Sequence, residues 1–326
     1  MRKTFLPTFV IALAFIISGE TAHAGLVDCG LKMVQSVFVS NPKPIIHELL
    51  PLPESHPVKP GDPYDPVGLM TVGEYKGQAM DTHIKRPAKV VYEDNKKILF
   101  ANFRDGREFH QAHLDKDGIE DVYFRINRFP SGVKGITPAH TLLYFKMKPG
   151  AELVLEGARN SPDLSNPNRV SEFVLSVDFA APHDVKYEMG KSAKPNYMTV
   201  MNFSSAADYS LRGADPNFAV EYLKLNLSAK EKRDLIEEAV HRSQERGYNY
   251  AYDLLTYNCT TEIFNLLDST VKYATPVKRY LPSIFKIKDA VAGPSEEGLV
   301  QRGLVTKNEH GQLPAIWANF DGILPH

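Results

Sequence analysis

Apolar residues in the middle of the chain come in short runs with a two-residue beat. Lys89-Val90-Val91-Tyr92, Ile98 to Phe103, Glu108-Phe109-His110 and Val122 to Ile126 read as strands. Asp94-Asn95, Asp105-Gly106 and Asp117-Gly118 punctuate them as turns, which predicts a β-meander over residues 88–130. His140–Met147 and Glu152–Leu155 are placed to pair across Lys148-Pro149-Gly150, residues 160–170 read as a polar loop, and strands follow at Phe173–Phe179 and Tyr197–Phe203. The period then changes. Ser228-Ala229-Lys230-Glu231 is a capping-box signature ahead of a helix that runs to about Arg246, with Leu235, Ile236, Ala239 and Val240 on one face and Gly247 as terminator. A second helix is predicted over 260–268, where Ile263, Phe264, Leu266 and Leu267 form the apolar stripe. Strands followed by helices predict an α+β fold, an antiparallel sheet with helices packed on one side. Beyond residue 270 only short helical pieces are legible, at 277–288 and 298–305. The tail from Glu309 reads as irregular, with Trp317 and Phe320 as anchors onto the domain.

The ends and the composition narrow the setting. Met1-Arg2-Lys3, the apolar run Phe5 to Ile17 and Ala22-His23-Ala24 have the layout of a secretory signal peptide, with cleavage expected after Ala24. The run is too short for a good spanning helix, and no later one approaches about 18 apolar residues. The mature chain is therefore expected outside the cytoplasm without a transmembrane segment. Its Pro-rich start suits an extended lead-in over residues 25–87. A net charge of −1 gives no electrostatic ground for nucleic acid or an anionic membrane as partner.

Cys259 is one of two cysteines, and its place at the start of the second helix suits a nucleophile. Free N–H groups and the helix dipole there favour thiolate over thiol. His140 opens an apolar strand, and a cysteine on a helix start with a histidine on a strand are the working parts of a thiol enzyme. Asn258 and Thr256 are both plausible N-caps, and the Cys259 N–H with the Asn258 side chain could form an oxyanion hole. The other cysteine offers a rival reading. Leu26-Val27-Asp28-Cys29 has lipoprotein-signal spacing, but Asp28 stands where a small residue is expected. A Cys29–Cys259 disulfide in an oxidising compartment would instead mark a non-catalytic envelope scaffold.

Ala139-His140-Thr141, Ser176-Val177-Asp178 and Asn258-Cys259-Thr260-Thr261, in this order, resemble the bacterial DUF4105 family, also called the Lnb N-terminal periplasmic domain. Tyr222 to Ser228 and the charged helix behind it are similar to the family's strand–helix link. The similarity covers roughly residues 135–270, within a core taken as 131–275, with 276–326 as a tail packing on it. The resemblance implies a circularly permuted, papain-like fold with histidine before cysteine. It implies acyl chemistry, since some members are associated with N-acylation of lipoproteins. The expected substrates are an acyl lipid, a lipoprotein or an envelope peptide, processed by hydrolysis or transfer through an acyl-Cys259 intermediate. It also makes Asp178 the first choice to orient His140, with Glu156 as the alternative.

No cofactor and no metal are expected. His110 and His113 would point to opposite faces of a strand, and Asp115-Lys116-Asp117-Gly118 with Glu120 and Asp121 lacks the full calcium-loop pattern. Tyr248, Tyr250, Tyr252 and Tyr257 crowd the approach to Cys259, either lining a groove or, the preferred reading, packing the helix pair together.

Overall fold

The structure, a computed structural model, describes residues 68–106, 108–128, 139–156, 168–186, 188–192, 194–212, 219–253, 257–273 and 295–318. The expected signal peptide, Cys29, the helical piece at 277–288 and Phe320 lie outside them. The strands are β1 (Lys89–Glu93), β2 (Lys97–Asp105), β3 (Glu108–Asp115), β4 (Ile119–Arg128), β5 (Ala139–Met147), β6 (Leu153–Glu156), β7 (Asn168–Val170), β8 (Glu172–Ala180), β9 (Tyr197–Ser205), β10 (Ala219–Lys224), β11 (Tyr250–Tyr252) and β12 (Ala315–Ala318). The helices are α1 (Met189–Ser192), α2 (Ala206–Arg212), α3 (Ala229–Arg246), α4 (Cys259–Thr270) and α5 (Ser295–Gln301).

All twelve strands join one sheet, in the order β12-β10-β4-β5-β8-β9-β2-β3-β6-β7, with β1 beside β2 and β11 beside β9. The α+β class holds, but the sheet is mixed rather than antiparallel, because β2 runs parallel to β9. The meander is also cut short. The Asp115–Gly118 turn joins β3 to β4, yet β4 pairs with β5 and β10 instead of β3. Gly118 makes this corner possible, since a Cβ there would lie 2.9 Å from Met147 Cε and 3.0 Å from the Asp115 carbonyl. Beyond it the strands turn over so that Phe100 and Leu114 on one limb share a core with Phe124 and Phe145 on the other. For the same reason β5 and β6 are not partners; β6 pairs with β3 and with β7, which occupies the end of the expected loop.

Side chains alternate across the sheet, so it has two distinct faces. One, the helix face, carries Phe124, Phe145, Phe173, Leu175, Val177 and Phe203 and is covered by α3 and α4 through Leu235, Ile236, Ile263, Phe264 and Leu267. Phe100 and Phe103 both reach this core although three residues apart. A bulge in β2 between them, with Asn102 at φ 69°, corrects the phase. The other, the tyrosine face, carries Tyr123, Leu142, Tyr144, Val174, Val220 and Tyr222, with Ala206 of α2 packed on it. Helices therefore approach from both sides, not one.

Helix α3 starts as its sequence predicts. The Ser228 side chain accepts from the Glu231 N–H and Glu231 reaches back to the Ser228 N–H. Ser243, buried on its inner side, accepts from the Ala88 N–H at 2.8 Å and donates to the Met201 carbonyl at 2.6 Å, fixing the helix to β9. The tail from Glu309 is irregular up to residue 314 but then forms a strand that was not expected: β12 pairs with β10, setting Trp317 opposite Glu221 and Ile316 opposite Tyr222. Ile316 packs on the tyrosine face while Trp317 is 57% exposed, so Trp317 is no anchor.

Candidate active site

Cys259 is the first residue of α4. Asn258 caps the helix: its Oδ1 accepts from the Thr260 and Thr261 N–H groups at 2.9 and 3.0 Å, and Thr261 Oγ1 accepts from the Asn258 N–H at 2.8 Å. The Asn258 oxygen is thus committed to the cap, so any oxyanion role falls to its amide NH₂ end. The helix is held against β5 by a hydrogen bond between the Thr141 and Thr260 hydroxyls at 3.1 Å.

By alternation His140 projects from the tyrosine face, whereas Cys259 belongs to the core on the helix face. They meet where two strands part. The β5–β4 ladder continues to Ala139 and Arg128, but the β5–β8 ladder stops at Leu142 and Ser176. The Thr141 N–H, just past that last pair, donates to the Cys259 sulfur, and His140 hydrogen-bonds the same sulfur. Thr260 Oγ1 lies 3.8 Å from it.

The far side of the imidazole faces β8. His140 Nε2 is 2.9 Å from Ser176 Oγ and 3.5 Å from Asp178 Oδ1. Asp178 is itself positioned by Asn202 of β9, whose Nδ2 donates to Asp178 Oδ2 at 2.8 Å and to the Ser176 carbonyl at 3.2 Å. The structure thus brings Cys259, His140, Asp178 and Asn258 into one cluster. It does not bring Glu156 there: β6 lies on the far limb of the sheet, and Glu156 pairs with His113 at 2.8 Å. Ser176 is the residue that inspection of the sequence passed over. Its signal was present, two residues before Asp178 and hence on the same side of the strand.

Burial pushes the Cys259 thiol up, but the charge and hydrogen bond of His140, the Thr141 N–H and the Thr260 hydroxyl outweigh it and bring it down to about 7. Burial also opposes an imidazolium at His140; Cys259 and Asp178 overcome that and raise it, with Lys85 pulling slightly the other way. Among the described residues Cys259 has no disulfide partner and carries a free thiol.

The tyrosines before Cys259 separate. Tyr248 is buried among Met70, Met80, Met198 and Val200 and donates to the Lys85 carbonyl at 2.6 Å. Tyr252 packs with Tyr197, and exposed Tyr250 stacks on Tyr257 with ring centroids 5.3 Å apart. They form no single cluster: Tyr248 and Tyr252 belong to separate buried apolar groups, while Tyr250 and Tyr257 stack on each other beneath Arg246. His110 and His113 are engaged separately, with the Asp105 carbonyl and Glu156.

Fold and site together define an α+β protein with a thiol and an imidazole in contact at a helix N-terminus. Residues 193–286 match the family model described as the Lnb N-terminal periplasmic domain, so the DUF4105 likeness holds over this segment. The match includes Cys259; His140 and Asp178 lie upstream of it. No curated protein and no solved structure matches the chain. The periplasmic family fits a periplasmic location, and among the described residues no helix is long and apolar enough to cross a membrane.

Proposed function

We propose that the protein is a thiol-dependent enzyme of the cell envelope, built on a permuted papain-like core, that processes an acyl or amide carbonyl through an acyl-Cys259 intermediate. The observation that carries this reading is the free Cys259 thiol, lowered to about 7 and hydrogen-bonded to His140 at a helix start. The thiolate adds to the carbonyl carbon, and His140 gives a proton to the leaving oxygen or nitrogen as its bond breaks. Water or an amine then attacks the thioester, His140 takes its proton, and the thiolate is restored. Ser176 and Asp178 hold the imidazole, and Asp178 offsets its charge. The Cys259 N–H, at the positive end of α4, is aimed to help stabilise the oxyanion, with the Asn258 amide as its partner. The family's association with lipoprotein N-acylation supports an acyl lipid as donor, with a lipoprotein or envelope peptide as acceptor.

Intact-mass analysis after incubation with phospholipid vesicles tests this. The expected result is a fatty-acyl adduct on Cys259 that hydroxylamine removes and that His140→Ala does not form. Should no adduct appear with phospholipid or with envelope extract, while the protein is folded and reduced, the reading is wrong.

A further inference from the structure

Two groups of histidines and carboxylates lie away from the thiol: Asp81, His83 and His183, and Glu93, Glu237 and His241. In each, one possible ligand atom from every residue lies within 4.8 Å of the others. They differ at the centre. The second is filled by the protein's own cation, since Lys116 Nζ, 3% exposed, is 2.5 Å from Glu93 Oε1 and 3.1 Å from Glu237 Oε2. In the first, the Asp81 carboxylate faces two imidazoles. His83 Nδ1 is 3.0 Å from Oδ1 and His183 Nδ1 is 3.2 Å from Oδ2. Here two polar rings from distant parts of the chain converge on one carboxylate, and among the described residues no ammonium is paired with it.

We propose that Asp81, His83 and His183 bind a zinc-class divalent ion. Two imidazole nitrogens and one carboxylate oxygen suit zinc, copper or nickel, and not calcium or magnesium, which take oxygen ligands. In a tetrahedral zinc site with bonds of about 2.0–2.1 Å, neighbouring ligand atoms lie roughly 3.3–3.4 Å apart. The 3.0 Å from His83 Nδ1 to Asp81 Oδ1 is near this value, while His183 Nδ1, 3.2 Å from the other oxygen Oδ2, must move with the carboxylate to share one ion, all three ligand atoms starting within 4.8 Å of one another. The backbone already holds the two segments in place: the Asp81 N–H donates to the Ala181 carbonyl at 2.8 Å, and the His83 N–H donates to Asp81 Oδ1 at 2.9 Å. With 38% and 53% side-chain exposure, the two rings leave the position open to solvent, and three protein ligands leave a fourth site for water or an anionic group.

The ion would tie the stretch containing Lys85 to the end of β8. Lys85 Nζ donates to the Phe179 carbonyl at 3.0 Å, one residue beyond Asp178. The site therefore braces the wall of the thiol centre without touching the sulfur.

Calorimetric titration of the metal-free full chain with zinc, run on the native protein and on His83→Ala, His183→Ala and Cys259→Ser, tests the assignment. Cys259→Ser is needed because a thiolate beside His140 is itself a zinc ligand pair. The expected result is one zinc per chain in the native protein and in Cys259→Ser, weakened at least tenfold in each histidine variant. At one fixed zinc concentration Tm should rise by on the order of 5 °C in the native protein and Cys259→Ser, and by clearly less in each histidine variant. Asp81→Asn, nearly isosteric, repeats the loss without leaving a cavity. No binding to the native protein, binding weakened less than tenfold in either histidine variant, or binding abolished in Cys259→Ser would overturn the proposal.

Discussion

The two faces of the sheet do different work with similar materials. The helix face is apolar and continuous. Phe145 stacks on Phe173 with centroids 4.8 Å apart, and Phe124 meets Phe264 of α4 at 5.7 Å. The tyrosine face is equally buried but studded with polar atoms. Arg125 lies over the rings of Tyr209 and Tyr222 and donates to Asn127 at 2.8 Å, and burial raises Tyr123 to about 12. Dense apolar packing stabilises without discriminating among chemistries. A buried polar face requires each group to find a partner, and that constraint is what orients His140. The reactive pair forms where the faces communicate, at the parting of β5 from β8.

On this division of labour, changes to the polar groups of the tyrosine face alter reactivity and leave Tm nearly unchanged, while changes to the apolar side chains of the helix face, Cys259 apart, do the reverse. The largest effect is expected from Cys259→Ser, which should reduce acyl-adduct formation by roughly 10³-fold or more, measured by mass spectrometry, with the fold intact by circular dichroism. Phe145→Ala should cost about 3–5 kcal/mol in denaturant unfolding, since it removes a stacked ring from a filled core. A destabilised variant whose remaining folded fraction also lost its thiol reactivity would blur the distinction between the faces.

The next effect is a change in pH dependence. Alkylation of Cys259 should be half-maximal near pH 7. In His140→Ala the midpoint should move up, because the imidazole's charge and hydrogen bond are lost and only the Thr141 N–H and the Thr260 hydroxyl still oppose burial. The sign for stability follows. The folded thiol ionises below its unfolded counterpart, so ionisation adds stability above the unfolded pKa and this is lost as pH falls through about 7. Cys259→Ser should remove that part of the profile. An unshifted midpoint in His140→Ala would show that the imidazole does not control the sulfur.

Smaller effects should separate the two partners of His140. Ser176→Ala and Asp178→Asn should each slow alkylation about tenfold, Asp178→Asn also lowering its pH sensitivity because a charge is lost. Smallest of all, Ser228→Ala should cost about 1 kcal/mol through loss of the α3 cap, with the alkylation rate unchanged.

Much of this was legible locally. Both capping segments, the two long helices and most strands were readable because caps, turns and alternation depend on residues only a few positions apart. Cys259 at a helix start and His140 on a strand were readable for the same reason, as was the family resemblance. Strand order was not. The β2–β9 parallel pair, the separation of β3 from β4 and the pairing of β12 with β10 join residues up to about a hundred or more positions apart, and local pattern carries no record of such partners. Ser176 as the nearer neighbour of His140, the exposure of Trp317, and the convergence of Asp81 and His83 on His183 were likewise decided only by tertiary structure. A strand's alternation tells which residues share a face, but the curl of the sheet decides what that face meets.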